Sequence, residues 1–518
     1  MNMENSHPGT DLTSGKILPV AILAERLAAH KAQRQRIVQC HGVFDLVHPG
    51  HVRHLKAAKA EGDVLVVTIT ADCFVDKGPG RPAFNENLRA EFLAAIACVD
   101  YVAINPAPDA VGLIHTLSPD VYVKGSDYVR PEDDPTGKIR EEENAVQQCG
   151  GRMHFTDEVT FSSSHLINRR LNIFPEETER WLQDFRNRYT VDEVLGYLER
   201  IGNLRVLVIG EPIIDEYVFC DGLGKSTKDP VLAVQYRSME RYAGGSLAVA
   251  NHLGGIAMDA VLIGQIGETE RNEDFMRMRL GPKVVPYFTT RKNAPTIHKR
   301  RFVDHYTGVR LLELYVMDDT RTHPDDEAEL IELVSQLAPK ADLVVVADYG
   351  HGMITPRVAR TIEEHAKFLV VNTQANAGNR GFNTVSKFHR ADYVCLANHE
   401  VETETRQRHV PVSDLVAALP KSINCPRYTI TRGKHGTIHF DTGQATVSVP
   451  ALAGQVVDRV GAGDAVLAIT AALTLLGAPW EIIGFIGNIG GGQLVGELGN
   501  RVSINRTSLH KAIAALMK

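Results

Sequence analysis

Short aliphatic runs alternate with helix-patterned stretches along almost the whole chain, and this alternation restricts the fold more than any other feature. A short strand pattern at 36–40 is followed by Val64-Leu65-Val66-Val67-Thr68-Ile69, Tyr101-Val102-Ala103-Ile104 and Val121-Tyr122-Val123, with helical patterns at 17–32 and 86–97. A second series opens at Arg205-Val206-Leu207-Val208-Ile209-Gly210 and continues through 343–347, 368–371 and 428–431. Strand and helix in turn imply an α/β protein whose parallel sheets carry helices on both faces.

The chain has 518 residues, more than one hydrophobic core accommodates, so several domains are expected. The expected division is a flexible polar tail (1–15), a first α/β domain (16–172), a charged helical connector (173–203) and a second, larger α/β domain (204–518). In the connector Trp181, Phe185, Tyr189, Val194 and Leu198 form the packing face. The β-like stretch 231–236 is expected to belong to a small lid sheet. A net charge of −7 with interspersed signs and a pI near 6.3 argues against nucleic acid or an anionic membrane as partner. The seven cysteines are scattered and form no C-x-x-C pair, which argues against a disulfide framework or a zinc site. Without a secretory pattern or a membrane-length apolar run, the expected location is the cytoplasm.

Two segments carry chemistry. His41-Gly42-Val43-Phe44-Asp45-Leu46-Val47-His48-Pro49-Gly50-His51 follows a strand and precedes a helix. There His48 and His51 can meet phosphate oxygens where glycine permits close backbone approach, and can stabilise the charge that develops as pyrophosphate leaves. Asp458-Arg459-Val460-Gly461-Ala462-Gly463-Asp464 precedes an apolar helical run. A glycine turn at a helix start presents unpaired N–H groups to anions, and Asp464 there can accept a hydroxyl proton, which suits phosphoryl transfer to an alcohol.

The first segment resembles the G-x-F-D-x-x-H-x-G-H pattern of cytidylyltransferase-like nucleotidyltransferases, met by Gly42, Phe44, Asp45, His48, Gly50 and His51. The likeness continues through Asp72, Arg81-Pro82, Glu86 and Arg89. Pro119 to Tyr128 looks like the P-D-x-x-V-K-G-x-D-Y segment of adenylyltransferases that make ADP-heptose, and Ser162, Ser163 and Ser164 look like a helix-start hydroxyl cluster near nucleotide phosphates. The resemblance implies a Rossmann-like domain in which His48 and His51 hold the triphosphate, Lys124 neutralises developing charge, Arg81 and the serines lie near the phosphates, Mg²⁺ bridges phosphate oxygens, and ATP or CTP is the donor to a sugar 1-phosphate.

The second domain resembles ribokinase-like sugar kinases, the heptose 7-phosphate kinases among them. By that resemblance Asp464 is the base, Gly461, Ala462 and Gly463 supply the anion hole, Asp215, Gly244, Gly245 and Asp348 face the sugar, and Thr431, Gly433, Gly436 and Asn488 line the nucleotide side with the Gly490–Gly492 run. The chain departs from the family pattern at Glu211, at Ala248, at Asn372 and Gln374 in place of an Asp-Pro-Lys segment, and after Asn398, where Val401 takes the expected carboxylate position between Glu400 and Glu402. Metal ligands are not identifiable from the sequence.

Bifunctional heptose-phosphate kinase/adenylyltransferases combine the same two domains in the opposite order. Three readings stay open at this point: a bifunctional enzyme acting on sugar phosphates and ATP, an active nucleotidyltransferase with a kinase-like regulatory or dimerising module, and a non-enzymatic nucleotide or sugar-phosphate sensor. The resemblance also implies a homodimer through the kinase domain.

Overall fold

A computed structural model describes residues 15–75, 82–125, 138–156, 174–379, 381–454 and 456–517. Arg81, Ser162, Ser163, Ser164 and the end of the 119–128 segment lie outside the described residues. The chain divides into two compact units, one within 1–173 and the other Phe174–Met517.

The first unit is built on five strands, β1 (Ile37–Gly42), β2 (Val64–Thr70), β3 (Tyr101–Asn105), β4 (Val121–Gly125) and β5 (Arg152–Thr156), in the order β3-β2-β1-β4-β5. Every pairing is parallel. All of β2 is buried, because alternate side chains enter two different cores. Val64 and Val66 pack with Leu23 and Leu27 of the helix Val20–Ala32, whereas Leu65 and Val67 pack with Leu55 of Pro49–Ala60 and Leu93 of Glu86–Ala94. The helix expected from residue 17 begins at Val20, after Pro19, and Ile17 instead bridges to Val102. The strand order reverses between β1 and β4, so the crevice at their carboxyl ends is where an open α/β sheet takes a ligand. The loop leaving β1 there is the two-histidine segment.

The second unit contains β6 (Arg205–Gly210), β7 (Pro212–Lys225), β8 (Leu232–Gly245), β9 (Asp259–Thr269), β10 (Val284–Pro295), β11 (Ile297–Asp304), β12 (Arg310–Val316), β13 (Leu343–Asp348), β14 (Leu369–Thr373), β15 (Tyr393–Ala397), β16 (Arg427–Thr431), β17 (Thr437–Asp441) and β18 (Val447–Val449). Nine of them form one sheet, β10-β9-β6-β13-β14-β15-β16-β17-β18. Its pairings are parallel as far as β16 and antiparallel over the last two. The expected lid is a separate four-stranded sheet, β12-β11-β7-β8. Helices Glu176–Arg188 and Val191–Ile201, expected as a connector, pack within this unit: Phe185 lies 4.4 Å from Phe485 between ring centroids, and Arg186 donates to the carbonyl of Leu516 at 2.8 Å. Among the described residues no helix is long and apolar enough to cross a membrane, and all seven cysteines are free.

Candidate active sites

In the first unit the strand–turn–helix from β1 to Pro49–Ala60 brings Gly42, Phe44, Asp45, His48, Gly50 and His51 together. His48 is the N-cap; its Nδ1 accepts the N–H of Gly50 at 3.1 Å, and Nδ1 of His51 accepts the N–H of His48 at 3.4 Å. With both Nδ1 atoms acting as acceptors, each neutral ring carries its proton on Nε2. Two imidazole donors thus sit at a helix N-terminus, their centroids 4.0 Å apart, a setting that favours anions. Nε2 of His48 is buried without a hydrogen-bond partner, which is costly unless an acceptor arrives. Burial lowers the His48 pKa and so keeps the ring neutral. Phe44, at φ 48°, lays its ring 5.3 Å from that of His51, and buried Asp45 accepts the N–H of Ala83 at 2.5 Å.

Lys124, near the end of β4, forms an ion pair of 2.8 Å with Glu142 of the helix Lys138–Gln148. Arg89 and Glu86, which the motif likeness also takes in, brace the loops around the first site. Arg89 has 0% exposure; its guanidinium donates to the carbonyls of Thr70 at 2.8 Å, Phe84 at 3.0 Å and Val43, and to Asp72 at 2.5 Å. Glu86 and Asp72 exchange carboxylate–N–H hydrogen bonds of 2.7 and 3.0 Å.

In the second unit, strand ends and the glycine turn enclose a cavity of about 290 Å³. Its wall includes Asp215, Gly245, Lys299, Arg301, Tyr349, Asn372, Gln374, Glu400, Thr431, Arg459, Gly461, Gly463, Asp464 and Asn500. Gly461 caps the helix Ala462–Leu475 at φ 83°, and a Cβ there would come within 2.0 Å of Oδ1 of Asn500, so only glycine fits. Asp458 braces the same turn by accepting the N–H groups of Val460 at 3.2 Å and Gly499 at 3.1 Å and the hydroxyl of Tyr217 at 2.7 Å. Burial opposes ionisation of Asp458, but these donors with Arg310 leave its pKa below the usual carboxylate value.

Asp464, in the first turn of that helix, is buried, and its pKa is raised to about 7, chiefly by burial. The nearby Asp215 raises it further, whereas hydrogen bonds from Tyr349 and Gln374 and the charge of Lys299 pull it down. Such a carboxyl is matched to proton abstraction near neutrality. Asp215 accepts from Arg301 at 2.5 Å and from Asn500 at 3.4 Å. Gly244 makes room for it, since a Cβ there would lie 2.1 Å from Oδ2 of Asp215.

Several expected positions fall off the cavity wall. Asp348 is fully buried, paired with Lys387 and accepting the N–H of Gly350 at 3.0 Å. Asn488 donates to Thr437 at 3.1 Å and to the carbonyls of Val449 and Pro450 at 3.2 and 3.0 Å, tying its helix to β17 and β18. The Gly490–Gly492 run packs its helix closely: a Cβ at Gly490 would meet Ile469 at 2.1 Å. Gly433 opens the short helical turn after β16 and Gly436 caps it, beyond Thr431. The departures also find places. Ala248 is core. Glu211 accepts the N–H groups of Tyr349 at 2.9 Å and His351 at 3.1 Å, and burial together with Asp348 raises its pKa to about 7. Val401 is core, whereas Glu400 reaches the cavity, its carboxylate accepting from Ala397 at 2.6 Å and Ala375 at 3.2 Å. Lys299 and Arg301 were not singled out by motif; their i, i+2 spacing on β11 points both toward the cavity and was the available signal.

A lidded α/β sheet with a buried carboxylate beside a glycine turn at a helix start defines a carbohydrate-kinase type of site. The pfkB family carbohydrate kinase model matches residues 203–506, more than half of the chain, and the chain belongs to that family. Ahead of it, residues 40–170 match the cytidylyltransferase-like model. Bifunctional protein HldE of Geobacter metallireducens is 39% identical over 171 residues, 32% of this chain and 33% of the relative. HldE of Helicobacter pylori strain Shi470 is 43% identical over 122 residues, 23% of this chain and 26% of the relative. The chain thus spans about a third of the length of the curated relatives it matches. Phosphofructokinase-2 from Escherichia coli in complex with fructose-6-phosphate covers 61% of this chain and 100% of its own at 14% identity and a TM-score of 0.49.

Proposed function

We propose that the chain is a bifunctional enzyme of nucleotide-activated sugar synthesis, of the ADP-heptose type. In the second unit the anomeric hydroxyl of a sugar phosphate attacks the γ-phosphorus of ATP while Asp464 takes its proton, and ADP leaves. The amides of Gly461–Gly463 receive the developing negative charge. In the first unit a sugar 1-phosphate oxygen attacks the α-phosphorus of ATP or CTP, and the Nε2–H groups of His48 and His51 stabilise the charge on the departing pyrophosphate. Lys124 adds positive charge from β4.

Mg²⁺ suits the kinase cavity. The Glu400 carboxylate and Oδ1 of Asn372, which is buried without a hydrogen-bond partner, are the hard oxygen donors this ion takes alongside nucleotide phosphates, and when bound it supplies charge neutralisation there. Among the described residues no cluster of three or more His, Cys, Asp or Glu side chains could hold a metal ion. The outer lid face supports a homodimer: Leu232 and Tyr236 of β8 and Leu312 and Leu314 of β12 recur at even spacing and are exposed.

The observation that carries the reading is the pairing of two chemistries on one chain, the Nε2–H donors at one helix start and the buried Asp464 at another. The test is phosphorus NMR of the purified protein with Mg²⁺, ATP and D-glycero-D-manno-heptose 7-phosphate, with a parallel tube containing the heptose 1-phosphate and ATP or CTP. A sugar bisphosphate in the first tube and a nucleotide sugar with pyrophosphate in the second are expected. A nucleotide sugar alone would favour the second reading, a kinase-like module without turnover, for which Gln374 in place of the family lysine is the specific observation.

A further inference from the structure

We propose that Tyr349 and Gln374 are positioning residues that hold Asp464 through Oδ1 alone and thereby assign Oδ2 as the oxygen that takes the acceptor's proton; this rests on the kinase reading. The Tyr349 hydroxyl donates to Oδ1 at 3.0 Å, and Nε2 of Gln374 donates to the same atom at 3.1 Å. A carboxylate oxygen has two lone pairs in its plane, so Oδ1 is saturated and the remaining acceptor capacity lies on Oδ2. Rotation of the carboxyl group would break both bonds inside a buried site, which fixes the reacting oxygen before substrate arrives.

The two donors come from different strand ends, and a loop rich in asparagine holds them in register. Nδ2 of Asn376 and Nδ2 of Asn379 donate to the carbonyl of Tyr349 at 2.8 and 2.7 Å. Nδ2 of Asn379 and Nδ2 of Asn383 donate to the carbonyl of Gln374 at 3.3 and 3.2 Å. Gly350, at φ 73°, permits this approach, since a Cβ there would lie 2.2 Å from Nδ2 of Asn379. This explains the departure from the family segment: Gln374 supplies a neutral donor to the base, and the asparagines that follow fix where it points. The charged and titratable groups that share the cavity with Asp464 are Asp215 from β7, Lys299 and Arg301 from β11, Tyr349 from the end of β13, Cys395 from β15, His399 and Glu400 from the helix Asn398–Thr405 and Arg459 from the turn before its own helix.

The test uses full-length protein carrying carboxyl-¹³C aspartate, with the Asp464 resonance assigned by its loss in Asp464→Asn. Its titration is followed in the unsubstituted protein, Tyr349→Phe, Gln374→Met and Asn379→Ala. Both donors favour the ionised carboxylate, so Tyr349→Phe and Gln374→Met are expected to move its midpoint to higher pH, and Asn379→Ala to move it less in the same direction. The acid limb of kcat/KM should shift by the same interval, with KM for the sugar phosphate little changed and kcat at neutral pH lowered roughly tenfold, the scale of one lost hydrogen bond to a charged group. An unmoved carboxyl titration in folded Tyr349→Phe and Gln374→Met proteins would overturn the proposal. Absence of turnover in the unsubstituted protein would count against the kinase reading alone, because the carboxyl titration needs no substrate.

Discussion

The two candidate sites are built on opposite plans. The first is local: its donors, His48 and His51, lie in one strand–turn–helix, and their tautomers are set by backbone N–H groups of the same turn. The second is distributed: Asp464 draws its environment from Asp215, Lys299, Tyr349 and Gln374, which stand on four other segments. A local site is positioned by a helix start and needs only that its turn be held. A distributed site is positioned by the whole sheet and lid, and can tune one carboxyl to about 7 because burial and opposing charges converge there.

The largest expected effect separates the two plans directly. Asp464→Asn should lower phosphoryl transfer by about 10²–10⁴-fold, the usual worth of a general base, and leave pyrophosphate release unchanged; coupled assays of ADP and pyrophosphate on one preparation check this. Next comes the support of the first site. Arg89→Met removes the donor to three backbone carbonyls and Asp72, stranding buried acceptors at a cost on the order of 3 kcal/mol. Urea unfolding should show the loss in the first unit, while kinase activity persists under native conditions.

The pH dependence sharpens the contrast. The raised pKa of Asp464 means the base is protonated below about pH 7, so kinase rate should fall about tenfold per unit as pH drops through that value. Among the described residues of the first unit no carboxyl is raised in this way, and the lowered His48 pKa keeps its ring neutral, so nucleotidyl transfer should show no limb there. The smallest effect tests the close approach at Gly244: Gly244→Ala should displace Asp215 and raise KM for the sugar phosphate roughly tenfold, about 1.4 kcal/mol, with kcat less affected.

The same contrast explains what could be read from the sequence. The α/β class and the lid followed from the strand runs, and the first site's histidines and the Gly461–Asp464 turn were visible because each lies within one short segment. Glu400, Lys299 and Arg301 were not read as cavity residues, because their common wall exists only after β11, β15 and the lid assemble. Asp348 and Asn488 show the converse: both sit in family motifs, yet their side chains are spent on Lys387 and on backbone carbonyls. The offset in the Asn398 segment was visible as a misplaced carboxylate, but only the helix geometry shows that Glu400 turns to the cavity while Val401 enters the core.

The most direct measurement of two independent sites is a reciprocal assay by phosphorus NMR: unsubstituted protein, His51→Ala and Asp464→Asn, each with Mg²⁺, ATP and either heptose 7-phosphate or heptose 1-phosphate. The account predicts that His51→Ala loses the nucleotide sugar and pyrophosphate but still forms the bisphosphate and ADP, and that Asp464→Asn does the reverse. Loss of both products in either folded variant would contradict it.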